Sequence, residues 1–77
     1  SYVSAVWGKA EILEKQNKTK DVIAHYTKAI DNESLNNSRQ LFYYKRGEVA
    51  LKQKDTTSAY KDFKKAIEED MYLGEPN

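Results

Sequence analysis

An internal duplication constrains this chain more than any other feature of its sequence. The segment YTKAI at residues 26–30 returns as FKKAI at residues 63–67, a shift of 37 positions. The same shift places small residues on small ones and bulky apolar residues on bulky or apolar ones over most of the chain. The further pairs are Val6 with Tyr43, Ala10 with Gly47, Leu13 with Ala50, and Val22 with Ala59. A period of this length is typical of helical repeat proteins, in which each unit buries its apolar face against the next.

The apolar residues recur every three or four positions in four segments, which is the spacing of amphipathic helices. No segment sustains the alternation that is typical of a β-strand. We therefore predict an all-α chain with helices at about 3–16, 20–31, 38–53 and 58–71, paired as two antiparallel helix-turn-helix hairpins. Asn17 or Thr19 is expected to cap the second helix, and Asn37 with Gln40 fits a capping box for the third.

Composition narrows the possible functions. Thirteen basic and twelve acidic residues give a net charge of +1, so the whole molecule has little attraction for nucleic acid or anionic lipid. The longest apolar run, residues 41–44, is far shorter than the about 20 residues that span a bilayer. The chain has no cysteine and one histidine, so we expect no disulfide, no structural zinc site and no cofactor. The cellular compartment is left open.

The duplicated pattern resembles the tetratricopeptide repeat (TPR), a helix-turn-helix unit of about 34 residues. The matching residues are Val6, Lys9, Ala10, Leu13, Val22, Tyr26 and Ala29 in the first copy and Tyr43, Arg46, Gly47, Ala50, Ala59, Phe63 and Ala66 in the second. Two features depart from the family: Ser34 and Met71 replace the proline expected after each second helix, and the period is longer by about three residues. On this resemblance, residues 1–77 are a single TPR-like domain from a longer chain, with repeats at about 3–36 and 38–73.

The resemblance implies a short right-handed solenoid whose first helices line a concave groove that binds an extended or helical peptide. The residues expected to line this groove lie one step past the core stripe of each first helix, or one turn earlier. They are Trp7 and Glu11 in the first hairpin and Leu41, Tyr44, Glu48 and Leu51 in the second. Aromatic side chains beside carboxylates suit an apolar peptide that carries a basic residue. We therefore expect a protein or peptide partner.

One group of TPR partners is excluded by the same residues. Many members of the family bind the acidic carboxyl tails of chaperones through a clamp of basic and amide side chains. That clamp would need lysine at position 7 and asparagine at positions 11 and 45. This chain has Trp7, Glu11 and Lys45 there. A chaperone-tail clamp is therefore not expected.

Other functions stay open as alternatives. The second hairpin carries several lysines that could bind single-stranded RNA, although acidic residues interleave with them and favour a solvated face. These lysines are Lys52, Lys54, Lys61, Lys64 and Lys65. Self-association is the third possibility. Tyr60, Ile67 and Met71 on the last helix are expected to stay uncovered, which suggests a homodimer or missing neighbouring repeats.

No catalytic site is expected. His25 lies four residues after Asp21, a spacing that could orient an imidazole, but no nucleophile or second base is placed to use it. A histidine on a helix surface is the simpler interpretation. Glu14 and Lys18 are expected to form a surface ion pair, as are Lys64 with Glu68 and Lys65 with Glu69. Trp7 is either a partner anchor or a packing residue.

Overall fold

A computed structural model describes residues 2–32 and 38–74, and over those residues the chain is all-helical, without a strand. Its helices are α1 (Tyr2–Lys15), α2 (Thr19–Asp31), α3 (Arg39–Lys52) and α4 (Thr56–Gly74). The all-α prediction is confirmed, and each helix begins and ends close to the predicted residues. The main contacts join helices that are consecutive in the sequence, and the contact between α3 and α4 is the most extensive. No helix in the described part of the chain is long and apolar enough to cross a membrane.

The two hairpin turns have the same backbone geometry. Asn17 and Lys54, which lie 37 positions apart, both have a left-handed conformation, with φ of 59° and 64°. The next N–H donates back to the end of the preceding helix in both turns: Lys18 to the Leu13 carbonyl at 3.0 Å, and Asp55 to the Ala50 carbonyl at 2.9 Å. A left-handed residue followed by this bond is a common way to end a helix. The duplication in the sequence is therefore also a duplication of backbone structure.

The capping predictions are partly wrong. Asn17 lies in the turn after α1, and Lys18 occupies the N-cap of α2 without a side-chain capping bond. Helix α4 begins at Thr56, earlier than predicted, because the Asp55 carboxylate accepts a hydrogen bond from the Ser58 N–H at 3.2 Å. The hydrogen bonds from Ser58 lower the pKa of Asp55. The capping box expected at Asn37 lies outside the described residues.

The core follows the pairing of small and large residues. Ala10 and Ala29 are buried, so the helices of the first hairpin approach closely at these positions. Gly47 allows the same close approach of helices in the second hairpin, where the Phe63 ring lies against it. The buried cluster consists of Val6, Ala10, Val22, Tyr26, Ala29, Ile30, Phe42, Tyr43 and Val49, with Leu13, Ile23 and Ala66 packed against it. Residues from α1, α2 and α3 thus share one core, onto which α4 packs.

Candidate interaction surface

An open apolar cleft of about 600 Å³ lies between α3 and α4. It is lined by Gln40, Leu41, Tyr44, Phe63, Ala66 and Ile67, and we call it the α3–α4 cleft. Tyr44 and Ile67 are 48 % and 61 % exposed, so the cleft presents apolar surface to solvent. Leu41 and Tyr44 belong to the six residues that the sequence indicated as groove residues. The structure brings these two together with α4, which the sequence analysis did not anticipate.

The floor of the cleft is formed by a tilted aromatic pair. The ring centroids of Tyr44 and Phe63 are 5.6 Å apart, with an interplanar angle of 46°. This is a favourable arrangement for aromatic rings. Phe63 reaches its position because Gly47 has no side chain: a Cβ atom there would lie 2.8 Å from the Phe63 ring. The helix contact therefore preforms the cleft before any partner binds.

Trp7 and Glu48 lie at a different place, where α1 meets α3. The ammonium group of Lys45 lies 4.6 Å from the centroid of the Trp7 ring and 3.5 Å from the Glu48 carboxylate. A cation over an indole face is an attractive arrangement. Lys45 thus occupies the position predicted for a basic residue of the partner. Glu11 and Leu51 are exposed and do not line the α3–α4 cleft.

A partly buried arginine network joins α3 to α4 and to α2. Arg46 donates two hydrogen bonds to the Asp62 carboxylate, at 2.9 and 2.7 Å, and a third to the Thr27 hydroxyl on α2 at 2.9 Å. The hydrogen bond to Asp62 raises the pKa of Arg46 above its ordinary value, so the guanidinium keeps its charge. The sequence pattern does not reveal this network, because Asp62 is one of the acidic residues that interleave with the lysines of the second hairpin and were expected on a solvated face. An arginine on the apolar stripe beside Gly47 was the available signal, since a charge there needs a partner.

His25 also connects two helices. Its Nε2 lies 3.0 Å from the Val6 carbonyl oxygen and donates to it, which ties α2 to α1. The interpretation of a simple surface histidine is therefore wrong, because the ring is half-buried between two helices. Asp62 stands 37 positions later and likewise makes a contact between helices. Both copies of the repeat use this position to join neighbouring helices through a polar side chain.

The ion pairs observed on the surface differ from those expected from the sequence. Glu14 lies 3.6 Å from Lys52 on α3, so it bridges two helices. Lys65 lies 3.9 Å from Glu68, and Glu69 lies 3.5 Å from Arg39. Exposed pairs of this kind contribute little to stability, typically about 0–1 kcal/mol. They do reduce the positive field of the second hairpin, which disfavours the RNA alternative.

Comparison with known proteins gives no relative. No protein-family model matches the chain, and no curated protein or solved structure matches it significantly. The TPR resemblance therefore stays a hypothesis based on the sequence pattern. A function has to be argued from the cleft, the helix contacts and the charges of this chain alone.

Proposed function

We propose that this chain is a non-catalytic protein–protein interaction module that acts as an adaptor or scaffold. In this proposal the four helices form a short right-handed TPR-like solenoid. A partner segment binds along its helices, with Leu41 and Tyr44 as the central contacts. Trp7, Glu11, Glu48 and Leu51 extend the binding surface towards the first hairpin.

The observation that supports this proposal is the α3–α4 cleft. It combines the aromatic pair of Tyr44 and Phe63 with the exposed side chain of Ile67. Its volume of about 600 Å³ lies within the range of about 300–1,000 Å³ that is usual for ligand sites. Aromatic anchors at the centre of a contact commonly contribute most of its binding energy. A short segment with two or three apolar side chains suits this surface, and we expect micromolar affinity because the contact is small.

Selection of peptides tests the proposal directly. A displayed library of short random segments is selected against the immobilised chain, and enriched peptides are then titrated by fluorescence polarisation. We expect Tyr44→Ala to weaken binding by about tenfold or more, since losing an aromatic anchor costs at least about 1.4 kcal/mol.

Tyr60→Ala is the matched control, because Tyr60 is 68 % exposed on α4 and does not line the cleft. Its affinity should stay within about twofold of the parent value. Equal binding by both variants, or no enriched peptide at all, would count against the proposal. Single-stranded RNA binding that weakens steeply with added salt would favour the alternative function instead.

A further inference from the structure

The α3–α4 cleft is the second copy of a surface that α3 already covers in the first copy. The corresponding residues are Tyr26, Ala29 and Ile30 on α2 and Phe63, Ala66 and Ile67 on α4. The three residues on α2 are buried beneath α3, whereas on α4 Phe63 and Ala66 are only partly buried and Ile67 is exposed. The contrast is largest for the isoleucines: Ile30 is 4 % exposed and Ile67 is 61 % exposed. A helix placed on α4 as α3 lies on α2 would complete the cleft.

The face of α3 that covers the first hairpin is defined by its contacts. The ring of Phe42 lies 6.1 Å from that of Tyr26, and Val49 is buried in the same cluster. Lys45 lies over the Trp7 ring, and Arg46 donates to Thr27. The contact residues on α3 are therefore Phe42, Lys45, Arg46 and Val49.

Helix α1 presents the equivalent face, and among residues 2–32 and 38–74 this face is exposed to solvent. Shifting the four contact residues back by 37 positions gives Ala5, Gly8, Lys9 and Ile12, which we call the α1 outer face. All four are exposed, and Ile12 is 58 % exposed. A Cβ atom on Gly8 would meet no atom within 4 Å. The same chain thus contains both halves of a contact that it already makes once internally, and each half is open.

We infer that the α1 outer face of one copy of this chain packs into the α3–α4 cleft of a second copy. The contact repeats the packing of α3 on α2. This inference rests on the proposed function of the cleft and names its occupant. Small Ala5 and Gly8 leave room for the exposed rings and side chains of the cleft, and Ile12 takes the position of Val49. Because the two faces differ, the contact is head-to-tail and can continue from copy to copy into an open array.

Charge gives this contact a distinctive dependence on salt. The internal contact between Arg46 and Thr27 becomes a contact between Lys9 and Lys64. Two ammonium groups repel, and added salt screens that repulsion while leaving the apolar contact in place. Association should therefore increase with ionic strength. Binding of RNA by the same lysines would decrease with ionic strength.

A crossed pair of variants tests the inference. Ile67→Glu places a charge in the cleft, and Ile12→Glu places one on the α1 outer face. Both positions are exposed, so both variants should fold, and circular dichroism checks this. By sedimentation velocity, the average mass of the parent chain should rise above 8.9 kDa with concentration and should not level off at two chains. Each variant alone should stay at one chain, and an equal mixture should form a two-chain complex through its one intact contact.

A change of charge supplies a test in which association increases. Lys64→Glu should pair with Lys9 of the next copy and strengthen association by about three- to tenfold at low salt. Lys65→Glu is the matched control, with the same change in net charge, because the equivalent residue Lys28 is exposed and makes no described contact with α3. Equal effects of the two substitutions would overturn the assigned geometry.

The remaining outcomes separate this inference from the proposed function. A parent chain that stays monomeric into the millimolar range, a limit of two chains, or a mixture that stays monomeric would each overturn the inference. Selected peptides that still depend on Tyr44 in a monomeric chain would leave the proposed function standing with a different occupant. A monomeric chain for which no peptide binding depends on Tyr44 would contradict both the inference and the proposed function.

Discussion

Gly8 and Gly47 both lie inside helices, but their surroundings differ. Gly8 is exposed on α1, and a side chain there would meet no neighbour. Gly47 faces α4, where an added Cβ would lie 2.8 Å from the Phe63 ring and 3.2 Å from the Cβ of Asp62. Within one chain, the first glycine weakens its helix by about 1 kcal/mol relative to alanine. The second permits the contact that forms the floor of the cleft.

Alanine at the two positions should therefore have opposite effects. Gly8→Ala should stabilise the fold by about 0.5–1 kcal/mol through helix propensity alone. Gly47→Ala should destabilise it by about 1 kcal/mol, since crowding against α4 outweighs the gain in propensity, and Gly47→Leu by about 1–3 kcal/mol. Urea unfolding measures all three. A Gly47→Ala variant as stable as Gly8→Ala would show that α4 does not approach α3 so closely.

Tyr26 is the residue whose titration is most affected by the fold. Burial, and then the nearby charges of Glu14, Glu11 and Glu48, raise the pKa of its hydroxyl from about 10 to about 12. Each of these causes disfavours the tyrosinate. The folded state therefore retains a proton that the unfolded state releases in the interval between the two values.

The stabilisation from Tyr26 should be complete below pH 10 and should disappear as the pH rises towards 12. Because the pKa is higher in the folded state, the unfolded chain binds fewer protons in this interval. The free energy of unfolding therefore falls as the pH rises. The loss approaches about 2 kcal/mol at the upper end. Lysines titrate in the same range, so the unfolding free energy should be compared with that of Tyr26→Phe. Parallel pH profiles for the two proteins would contradict the assigned environment.

Among the helices, polar side chains as well as apolar ones decide the packing. Arg46 on α3 contacts both Thr27 on α2 and Asp62 on α4, and Asp62 is only 6 % exposed. The paired oxygens and nitrogens form a bidentate contact, which fixes direction as well as distance. Three helices thus meet at one guanidinium group.

Breaking this ion pair on one side should cost more than removing it altogether. Asp62→Ala or Arg46→Met should each destabilise the chain by about 2–3 kcal/mol, because the remaining charge loses its partner in a largely buried place. The double variant should be more stable than the sum of the two losses predicts, by about 1–2 kcal/mol. A double-mutant cycle from urea unfolding measures this coupling. Strict additivity would mean that the two charges act independently.

Over the whole molecule, stability is distributed unevenly along the chain. Helix α1 contacts mainly α2, whereas α3 and α4 share the largest interface. The outer face of α1 is open to solvent at Ile12. Arrays in which each unit contacts only its neighbours can lose an end unit before the rest.

Trp7 provides a probe for this behaviour because it is the only tryptophan and lies on α1. We expect its fluorescence to change at lower urea concentration than the far-UV circular dichroism, with an apparent free energy lower by roughly 1 kcal/mol or more. Lower hydrogen-exchange protection of α1 than of α3 amides should accompany it. Coincident transitions for the two probes would instead indicate that all four helices unfold as one unit.

The candidate site could be only partly predicted from the sequence. Tyr44 is predicted from its place one step past the core stripe and Leu41 from its place one turn earlier, and both line the cleft. Their partners Phe63, Ala66 and Ile67 were not part of the predicted groove, because a periodic pattern assigns residues to a helix face without saying which helix lies opposite. The pairing of Trp7 with Lys45 could not be predicted for the same reason, since these residues are far apart in the sequence.

The sequence by itself determined the number of helices, their approximate ends, the duplication and the small residues at the close contacts. These properties depend on local periodicity and turn chemistry, which short stretches of chain specify. Only the tertiary structure decided that Arg46 is neutralised by Asp62, that His25 joins α2 to α1, and that the apolar surface of α4 remains open beside Tyr44. The physical reason is distance along the chain: each of these features depends on the angle and offset at which two helices meet, and the residues of one helix do not encode that geometry.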